Sequence, residues 1–354
     1  MKILVCVGNG GVGKTTIAAS LGVLAAQEGK KVLVLTIDPS KRLATTLGIE
    51  GKNEITKVPG QKYKGELYAS VVDHKKTFDE FVLRAASKSD SAKKLFQNKL
   101  YQQLSTSLAG SQDFTALEKL YSVYESEEFD LIVLDTPPAK HAIDFLNAPQ
   151  KLSVLFNDKV ARWFRDSKKN TAGGILMNVL NVGTKQVLNI METITGSELL
   201  KELADFFSNI EQWQGKLEER ITSVHRMMVS SNTQFCLITS FDEAKLTEAE
   251  YFLKELRKGG YNLESVIINR SFPEWIELAE KPSKSAPPGA ENLFELYQKE
   301  KKFYAHREIV HTGFAKKFSA EAKVVRLPEI KESISDLSGL EAMALIIKSC
   351  GDKP

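Results

Sequence analysis

The sequence predicts an α/β fold in which a mostly parallel β-sheet is flanked by helices, with an added α-helical subdomain. Short apolar runs alternate with segments of helix length along most of the chain. Near-continuous apolar strands of this kind are typical of a parallel sheet that is covered on both faces. The strand pattern disappears between residues 151 and 229, where apolar residues recur at spacings of three, four and seven. That spacing is characteristic of an α-helix, so this region is predicted to be a helical insertion.

The predicted elements follow one another along the chain. Seven apolar runs are predicted to be strands, at residues 2–7, 31–37, 67–72, 129–135, 234–240, 263–269 and 323–327. A long helix is predicted at about residues 291–318, and a final helix at residues 336–349. The stretch 271–289 contains the sequence KPSKSAPPG, and its Pro, Ser and Lys content predicts a loop.

The length of the chain fits either one large α/β domain or a core domain with a subdomain. At 354 residues the chain exceeds the size of about 250–300 residues at which a single core stops growing. The core is expected at residues 1–150 and 231–354. The helical subdomain is expected at residues 151–230, with helices from residues 74–127 contributing.

Charge and the N-terminal residues exclude some classes of protein. Lys and Arg number 48 against 45 Asp and Glu, so the composition gives no reason to expect a nucleic acid partner. The apolar run at the N-terminus is too short for a secretory signal or a spanning helix. We therefore expect a cytoplasmic protein that contacts a membrane, if at all, through a partner.

The segment from Gly8 to Thr15 fits the phosphate-binding pattern G-x-x-x-x-G-K-[ST], with a strand before it and a helix after it. Glycines let the backbone curl so that its amides point at phosphate oxygens, and the helix N-terminus adds a favourable dipole. Lys14 would neutralise the β and γ phosphates, and the Thr15 hydroxyl would bind Mg²⁺. The candidate nucleotide-binding residues of this P-loop are Gly10, Gly11, Val12, Gly13, Lys14, Thr15 and Thr16.

Two carboxylates follow predicted strands and are candidates for the chemistry. Asp135 has the position of an acid that holds Mg²⁺, and Asp38 could orient the attacking water. Either residue alone would also fit a helix cap. Two of them behind a phosphate-binding loop favour a nucleotide hydrolase with the α/β fold of P-loop NTPases.

Five stretches of the chain resemble a known family. They are GNGGVGKTT, TIDPSKRL, DTPPAKHAIDFL with His141 and Phe145, SVIINR with Asn269, and RLPEIKESISDLSGL with Pro328. In this order they resemble the P-loop, the first and second switches, the adenine-recognising segment and the base-covering loop of the arsenite-pump ATPases. That family includes the ATPase that targets tail-anchored membrane proteins.

The resemblance implies an ATP-driven dimer whose two nucleotide sites face each other. It implies that Asp38 activates water together with the catalytic Lys14, and that Thr15 and Asp135 serve Mg²⁺. It also implies that Asn269 hydrogen-bonds adenine and that the loop with Pro328 closes over the base. The helical subdomains would form or break a hydrophobic groove as ATP is bound and hydrolysed.

The chain departs from the family at Asn9, where a signature lysine is expected to reach the partner's nucleotide. A cation supplied in trans to a transferring phosphoryl group is worth about 10³ to 10⁵ in rate, and a neutral amide cannot replace that charge. Three explanations remain open: slow hydrolysis by a homodimer, compensation by Lys41 or Arg42, or a heterodimer with a related subunit that carries the lysine. A fourth is that Asn9 is a tolerated residue of little effect.

The cysteines and histidines argue against a metal or metalloid site. Arsenite needs a cluster of thiolates, and Cys6 and Cys236 are expected in strands on separate parts of the core. His306 and His311, five residues apart, do not share a helix face well and are expected on the surface of the long helix. The CxxC that bridges some tail-anchor-targeting dimers is absent, so dimerisation would rest on the nucleotide face and the helices.

The helical insertion contains four of the six methionines, and two interpretations of them stay open. Flexible thioethers suit a groove that accepts varied apolar clients, and residues at this spacing also form the packed core of any helix layer. The residues concerned are Met177, Met191, Met227 and Met228.

The favoured function is a dimeric ATPase that couples its nucleotide state to binding of a hydrophobic or protein client, such as a membrane protein. One alternative is a weakly catalytic subunit of a hetero-oligomer with a related ATPase. Another is a partitioning ATPase of the ParA or MinD type. The long helical insertion and the lack of a basic patch count against the partitioning class.

Overall fold

The computed structural model describes most of the chain. The described residues are 1–37, 42–49, 54–86, 95–98, 101–102, 111–137, 139–155, 205–206, 208–211, 213–272, 287, 289–330 and 333–351. The predictions for Asp38, Lys41, Met177 and Met191 lie outside these residues, as does most of the predicted loop at 271–289.

Within the described residues, eight strands form one sheet in the order β3-β4-β2-β5-β1-β6-β7-β8. They are β1 (Lys2–Gly8), β2 (Lys31–Thr36), β3 (Thr56–Lys57), β4 (Glu66–Val71), β5 (Leu131–Asp135), β6 (Thr233–Ser240), β7 (Leu263–Asn269) and β8 (Lys323–Arg326). Every neighbouring pair is parallel except β3 with β4. The predicted α/β fold is confirmed. Only β3 was not predicted, because two residues are too few for any apolar period.

Helices connect these strands. The described helices are α1 (Lys14–Gln27), α2 (Arg42–Thr46), α3 (His74–Ala86), α4 (Ser111–Ser126), α5 (Ala139–Leu146), α6 (Ala148–Leu155), α7 (Gln214–Val229), α8 (Glu243–Lys258), α9 (Ala290–Phe318) and α10 (Leu337–Gly351). The two C-terminal helices match their predicted bounds within two residues. A helix between parallel strands returns the chain from the carboxyl edge of the sheet to its amino edge.

The chain divides into two compact units. One unit comprises Met1–Val72, Val123–Ile143 and Met228–Pro354, and it contains the whole sheet. The other comprises Asp73–Ser122 and Asp144–Met227. No described helix is long and apolar enough to cross a membrane.

The helical unit contains a buried ion pair between α4 and α7. Glu118 is 2% exposed, and both of its carboxylate oxygens accept hydrogen bonds of 3.0 Å from Nε of Arg220. Arg220 also lies over the ring of Tyr121, 4.3 Å from its centroid. The apolar periodicity predicted for this region is visible in α7, where Leu217 and Val224 are fully buried.

The sheet packs one face against α1 and α10, and this layer contains both strand cysteines. Cys6 and Cys236 are register partners in the parallel pair of β1 with β6, so the expectation that they lie on separate parts of the core is wrong. The prediction was wrong because the separation of two residues along the chain does not reveal which strands are neighbours in the sheet. A hydrogen bond between the thiols and burial raise the pKa of Cys6 well above its usual range. It is therefore a thiol, not the thiolate that binds soft metals.

The position of His311 also corrects a prediction. Its side chain was expected on the surface of the long helix, but the residue is 1% exposed and packs against the ring of Phe241 at a centroid distance of 6.2 Å. His306 is exposed as expected. The two histidines differ in exposure because the C-terminal part of α9 packs on the core with only one of its faces.

Candidate nucleotide-binding site

The candidate site residues lie at the carboxyl edge of the sheet, where the parallel strands end. β1 ends at Gly8 and runs through the glycine-rich loop into α1. β5 ends at Asp135 and β7 at Asn269. Because these strands are parallel members of one sheet, their ends open onto the same side, which is the usual ligand side of α/β sheets.

The glycine-rich loop has the backbone geometry of a phosphate cradle. Gly11 and Gly13 have φ angles of 78° and 87°, in the left-handed region that favours glycine. A Cβ on Gly13 would also lie 2.6 Å from Nδ2 of Asn269, so packing requires glycine there too. Gly10 and Gly11 are exposed, whereas Val12 is buried beneath them. The tip of the loop is thus accessible, and its amides can be approached by a phosphate group.

Lys14 begins α1 and directs its ammonium at the end of β5. Its Nζ donates to the carbonyl oxygen of Thr136 at 2.5 Å and lies 3.5 Å from Oδ1 of Asp135. Lys14 is 8% exposed. An ammonium has three hydrogens, so these two contacts fix its position and leave one donor for a ligand.

Asp135 is fully buried at the end of β5. Burial raises the pKa of this carboxyl group, while the charge of Lys14 and hydrogen bonds from Thr15 and Thr36 oppose the rise. Oγ1 of Thr36 donates to Oδ2 at 3.2 Å. The sequence analysis did not single out Thr36, although a polar residue at the end of the apolar run KVLVLT could have signalled it.

Asn269 contacts the glycine-rich loop directly. Its Nδ2 donates to the carbonyl oxygen of Val12 at 2.8 Å, and its Oδ1 accepts from the backbone amide of Arg270 at 3.0 Å. Arg270 has a φ angle of 53°. Asn269 is 6% exposed. The structure therefore brings this predicted adenine ligand to the base of the P-loop, where it also supports the loop.

The loop after β8 lies beside the end of β7. The amide of Leu327 donates to the carbonyl oxygen of Ile268 at 2.9 Å, and the amide of Glu329 donates to that of Phe272 at 2.8 Å. Pro328, between them, is buried. The segments predicted to recognise and to cover a base are thus neighbours at the same edge of the sheet.

Asn9 points into the protein. It is 5% exposed, and its Nδ2 lies 3.4 Å from the carbonyl oxygen of Lys245 in the first turn of α8. The side chain at the signature position therefore contacts its own protomer.

Three further residues of the predicted motifs are described. Thr15 and Thr16 are partly exposed in the first turn of α1. Phe145 is fully buried in α5. Asp38 and the side chain of His141 lie outside the described residues, and the chain before Asp38 is described up to Ile37.

Sequence comparisons agree with this geometry. The family described as anion-transporting ATPase matches residues 1–285. A protein of Aquifex aeolicus named as an arsenical pump-driving ATPase is 25% identical to this chain, over all of it and 80% of that protein. ATPase get3 of Schizosaccharomyces pombe is 22% identical over 95% of this chain and 88% of its own. ATPase ASNA1 homolog 2 of Paramecium tetraurelia is 25% identical over 75% of each chain.

These relatives are all named as ATPases, and the chain brings a glycine-rich loop, a buried acid and a lysine together in one place. The family match extends over more than half of the chain. The chain therefore belongs to the anion-transporting ATPase family and is an ATPase.

Proposed function

We propose that this ATPase works as a dimer whose nucleotide state controls the binding of a hydrophobic or protein client. One observation carries the nucleotide part of the proposal. Lys14 and Asp135 meet 3.5 Å apart next to a loop whose base is held by Asn269. A cation, an acid and accessible loop amides in one place suit a nucleoside triphosphate.

Each residue has a distinct proposed role. The loop amides and Lys14 would bind the phosphates and stabilise negative charge in the transition state. Asn269 would read adenine while it holds Val12. Asp38, which follows β2, would orient the attacking water. The Asn269 amide and the Asp38 carboxylate would thus act on different parts of the same nucleotide.

The donor set around Asp135 fits Mg²⁺. The Asp135 carboxylate and the Thr15 hydroxyl are oxygen ligands of the kind this ion prefers, and the Thr15 side chain helps to oppose the rise in the pKa of the buried carboxyl group. The ion would neutralise phosphate charge. We propose Thr15 and Asp135 as the residues that hold it.

The client-binding part of the proposal rests on the resemblance to the ATPase that targets tail-anchored proteins. Met227 and Met228 are 4% and 1% exposed, so these two methionines pack inside the protein. A client groove would have to use other residues of the helical region.

The nucleotide roles are tested by separating binding from hydrolysis. Lys14→Ala should abolish binding of a fluorescent ATP analogue, because the loop loses its only described ammonium. Asp38→Asn should retain binding and lose ATP turnover. Lys31→Ala is the matched control, since Lys31 begins β2 at the opposite edge of the sheet. Normal binding by Lys14→Ala, or normal turnover by Asp38→Asn, would overturn these assignments.

The dimer and the client are tested with the full chain. Sedimentation velocity should detect a dimer that is favoured by a non-hydrolysable ATP analogue over ADP. A peptide carrying a C-terminal apolar helix should bind in one nucleotide state more tightly than in the other. Equal affinity in both states would contradict the proposed coupling.

A further inference from the structure

Asp135 lies between two neighbours in the row of residues that crosses the end of the sheet. In the register of the parallel strands, Thr36 of β2 is its partner on one side and Cys6 of β1 is its partner on the other. All three residues are at most 1% exposed. Register partners in parallel strands point to the same face of the sheet, so the side chain of Asp135 is flanked by those of Thr36 and Cys6.

Of these two neighbours, Thr36 holds the carboxylate. Its Oγ1 donates a hydrogen bond of 3.2 Å to Oδ2 of Asp135. The thiol of Cys6 instead hydrogen-bonds Cys236 in the next strand, and a thiol is a weak donor in any case. The lateral support of Asp135 within the sheet therefore comes from the β2 side.

The two oxygens of Asp135 have different partners. Oδ2 accepts from Thr36, whereas Oδ1 lies 3.5 Å from Nζ of Lys14. Lys14 and Thr15 are the first residues of α1. A carboxylate oxygen can accept from more than one partner, so Oδ1 keeps the capacity to bind a cation. The bond from Thr36 thus fixes one oxygen and leaves the other on the side of the glycine-rich loop.

The main chain holds Thr36 in place on both sides. The amide of Ile37 donates to the carbonyl oxygen of Asp135 at 3.2 Å, and the amide of Val72 donates to the carbonyl oxygen of Thr36 at 3.0 Å. A β-branched side chain in a strand has few rotamers. The position of the hydroxyl is therefore set by the sheet before any ligand binds.

The hydroxyl at position 36 is an exception in its strand. β2 has the sequence KVLVLT, and its last five residues are buried. Valine has nearly the same shape as threonine and occurs twice in this strand. A buried hydroxyl costs free energy unless it is hydrogen-bonded. The packing of β2 alone does not require a hydroxyl here, whereas the bond to Asp135 does.

We propose that Thr36 is a positioning residue of the nucleotide site, which fixes the orientation of the Asp135 carboxylate for Mg²⁺. The role of Thr36 rests on the proposed role of Asp135 in holding that ion. Groups that hydrogen-bond a metal ligand set its orientation, and their loss typically costs about 10- to 100-fold in metal affinity or activity. Thr36 acts only through Asp135 and contacts neither the nucleotide nor the ion.

A first experiment removes the hydroxyl and keeps the shape of the side chain. In Thr36→Val, the Mg²⁺ concentration for half-maximal binding of a fluorescent non-hydrolysable ATP analogue should rise about tenfold or more. Binding of the same analogue in EDTA should stay as in wild type, because the glycine-rich loop and Lys14 are unchanged. Thr36→Ser keeps a hydroxyl and should bring the Mg²⁺ requirement back toward the wild-type value.

Thr233→Val is the matched control. Thr233 is a fully buried threonine at the start of β6, at the amino edge of the sheet. The same hydroxyl is removed, but at the edge away from the glycine-rich loop. This variant should leave unchanged both the Mg²⁺ requirement and the binding in EDTA. Thermal unfolding of each variant shows that the chains compared are folded.

A second experiment tests whether Thr36 acts through Asp135. Asp135→Asn alone should raise the Mg²⁺ requirement. Thr36→Val added to Asp135→Asn should raise it no further, because residues that act through one contact are not additive. Additive effects of the two substitutions would show that Thr36 acts by another route and would overturn the proposal.

The outcomes separate this inference from the proposed function. If Asp135→Asn raises the Mg²⁺ requirement and Thr36→Val does not, the role of Thr36 is overturned and the metal site stands. An equal loss of binding with Mg²⁺ and in EDTA, or a Thr36→Ser variant that behaves like Thr36→Val, would also overturn the role of Thr36. An unchanged Mg²⁺ requirement in Asp135→Asn would overturn the proposed metal site and the role of Thr36 with it.

Discussion

Asn9 directs its amide toward its own protomer, where Nδ2 lies 3.4 Å from the carbonyl oxygen of Lys245. The residue has neither the charge nor the length to reach a nucleotide held by another subunit. Its burial gives it a local role at the contact between the P-loop and α8. We infer slow hydrolysis of ATP by the chain alone, which is one of the explanations that the sequence leaves open for Asn9.

We predict that Asn9→Lys raises ATP turnover about tenfold or more if the chain forms the proposed dimer with itself. A trans cation at a transferring phosphoryl group is worth up to about 10⁵ in rate, and a lysine at this position would supply such a cation. Steady-state turnover at saturating ATP measures the effect. Asn9→Gln is the control, because it lengthens the side chain without adding charge. Equal turnover of Asn9→Lys and wild type would contradict the argument.

A second prediction concerns His311. Burial lowers its pKa, and Arg326 and Arg307 lower it further while Glu308 acts in the opposite direction. The unfolded chain therefore takes up a proton at about pH 6.5 that the folded chain does not. Stability from this group is fully present above that pH and declines as the pH falls below it.

We expect His311→Leu to flatten the dependence of unfolding free energy on pH between about pH 7 and pH 5. The group can contribute at most about 1.4 kcal/mol per pH unit. Urea unfolding at several pH values measures the slope. His306→Leu, on an exposed position of the same helix, should leave it as in wild type. An unchanged slope in His311→Leu would show that other groups cause the pH dependence.

Sequence reasoning placed some residues well and others badly. Lys14, Asp135 and Asn269 were predictable because each sits in a motif at the end of an apolar run, and strand ends are where ligands bind. Thr36 begins the stretch TIDPSKRL, but the resemblance gave that residue no role. The pairing of Cys6 with Cys236 depends on which strands are neighbours, and no local pattern carries that information.

At the scale of elements, α4 and α7 are joined by the pair of Glu118 with Arg220. We predict that Arg220→Met lowers the unfolding free energy of the helical unit by about 3 kcal/mol, since it leaves a buried carboxylate without its main partner. The loss lies at the low end of the usual range because Arg84 stays within 3.8 Å of Glu118. The loss of unfolding free energy is measured by chemical denaturation in which limited proteolysis detects the unfolded helical unit.

Arg226→Met is the matched control for that substitution. Arg226 lies in the last turn of α7 and is exposed. Its loss should change stability by less than about 0.5 kcal/mol. If both substitutions lower the unfolding free energy equally, the buried pair of Glu118 with Arg220 contributes no more than an exposed arginine does.

Element positions were largely predictable because buried parallel strands and their covering helices have strong apolar signals. The predicted bounds of the long helix and the observed bounds of α9 differ by one residue at the N-terminus. The exposure of the apolar side chains in the N-terminal part of α9 was not predictable. Period alone cannot tell whether an apolar row meets the core of its own chain or another surface.

At the scale of the whole molecule, the order of the strands is what joins distant parts of the sequence. β6 lies between β1 and β7, so the glycine-rich loop and the segment with Asn269 meet, although Val12 and Asn269 are 257 residues apart along the chain. The arrangement of parallel strands joined by helices was predictable as a class, and the exact order of neighbours was not.

The distribution of thiols in the sheet unit has a practical consequence. Cys6 and Cys236 lie side by side in the neighbouring interior strands β1 and β6, and Cys350 is partly exposed near the end of α10. A maleimide dye should therefore attach quickly to one position of the native chain, and to the other two only when the centre of the sheet opens. Mass spectrometry of the labelled chain over time would count these events. Three thiols reacting at one rate would be inconsistent with this placement. A dye on Cys350 could therefore serve as a spectroscopic reporter in the native chain. Labelling of Cys6 and Cys236 would measure how often the sheet opens.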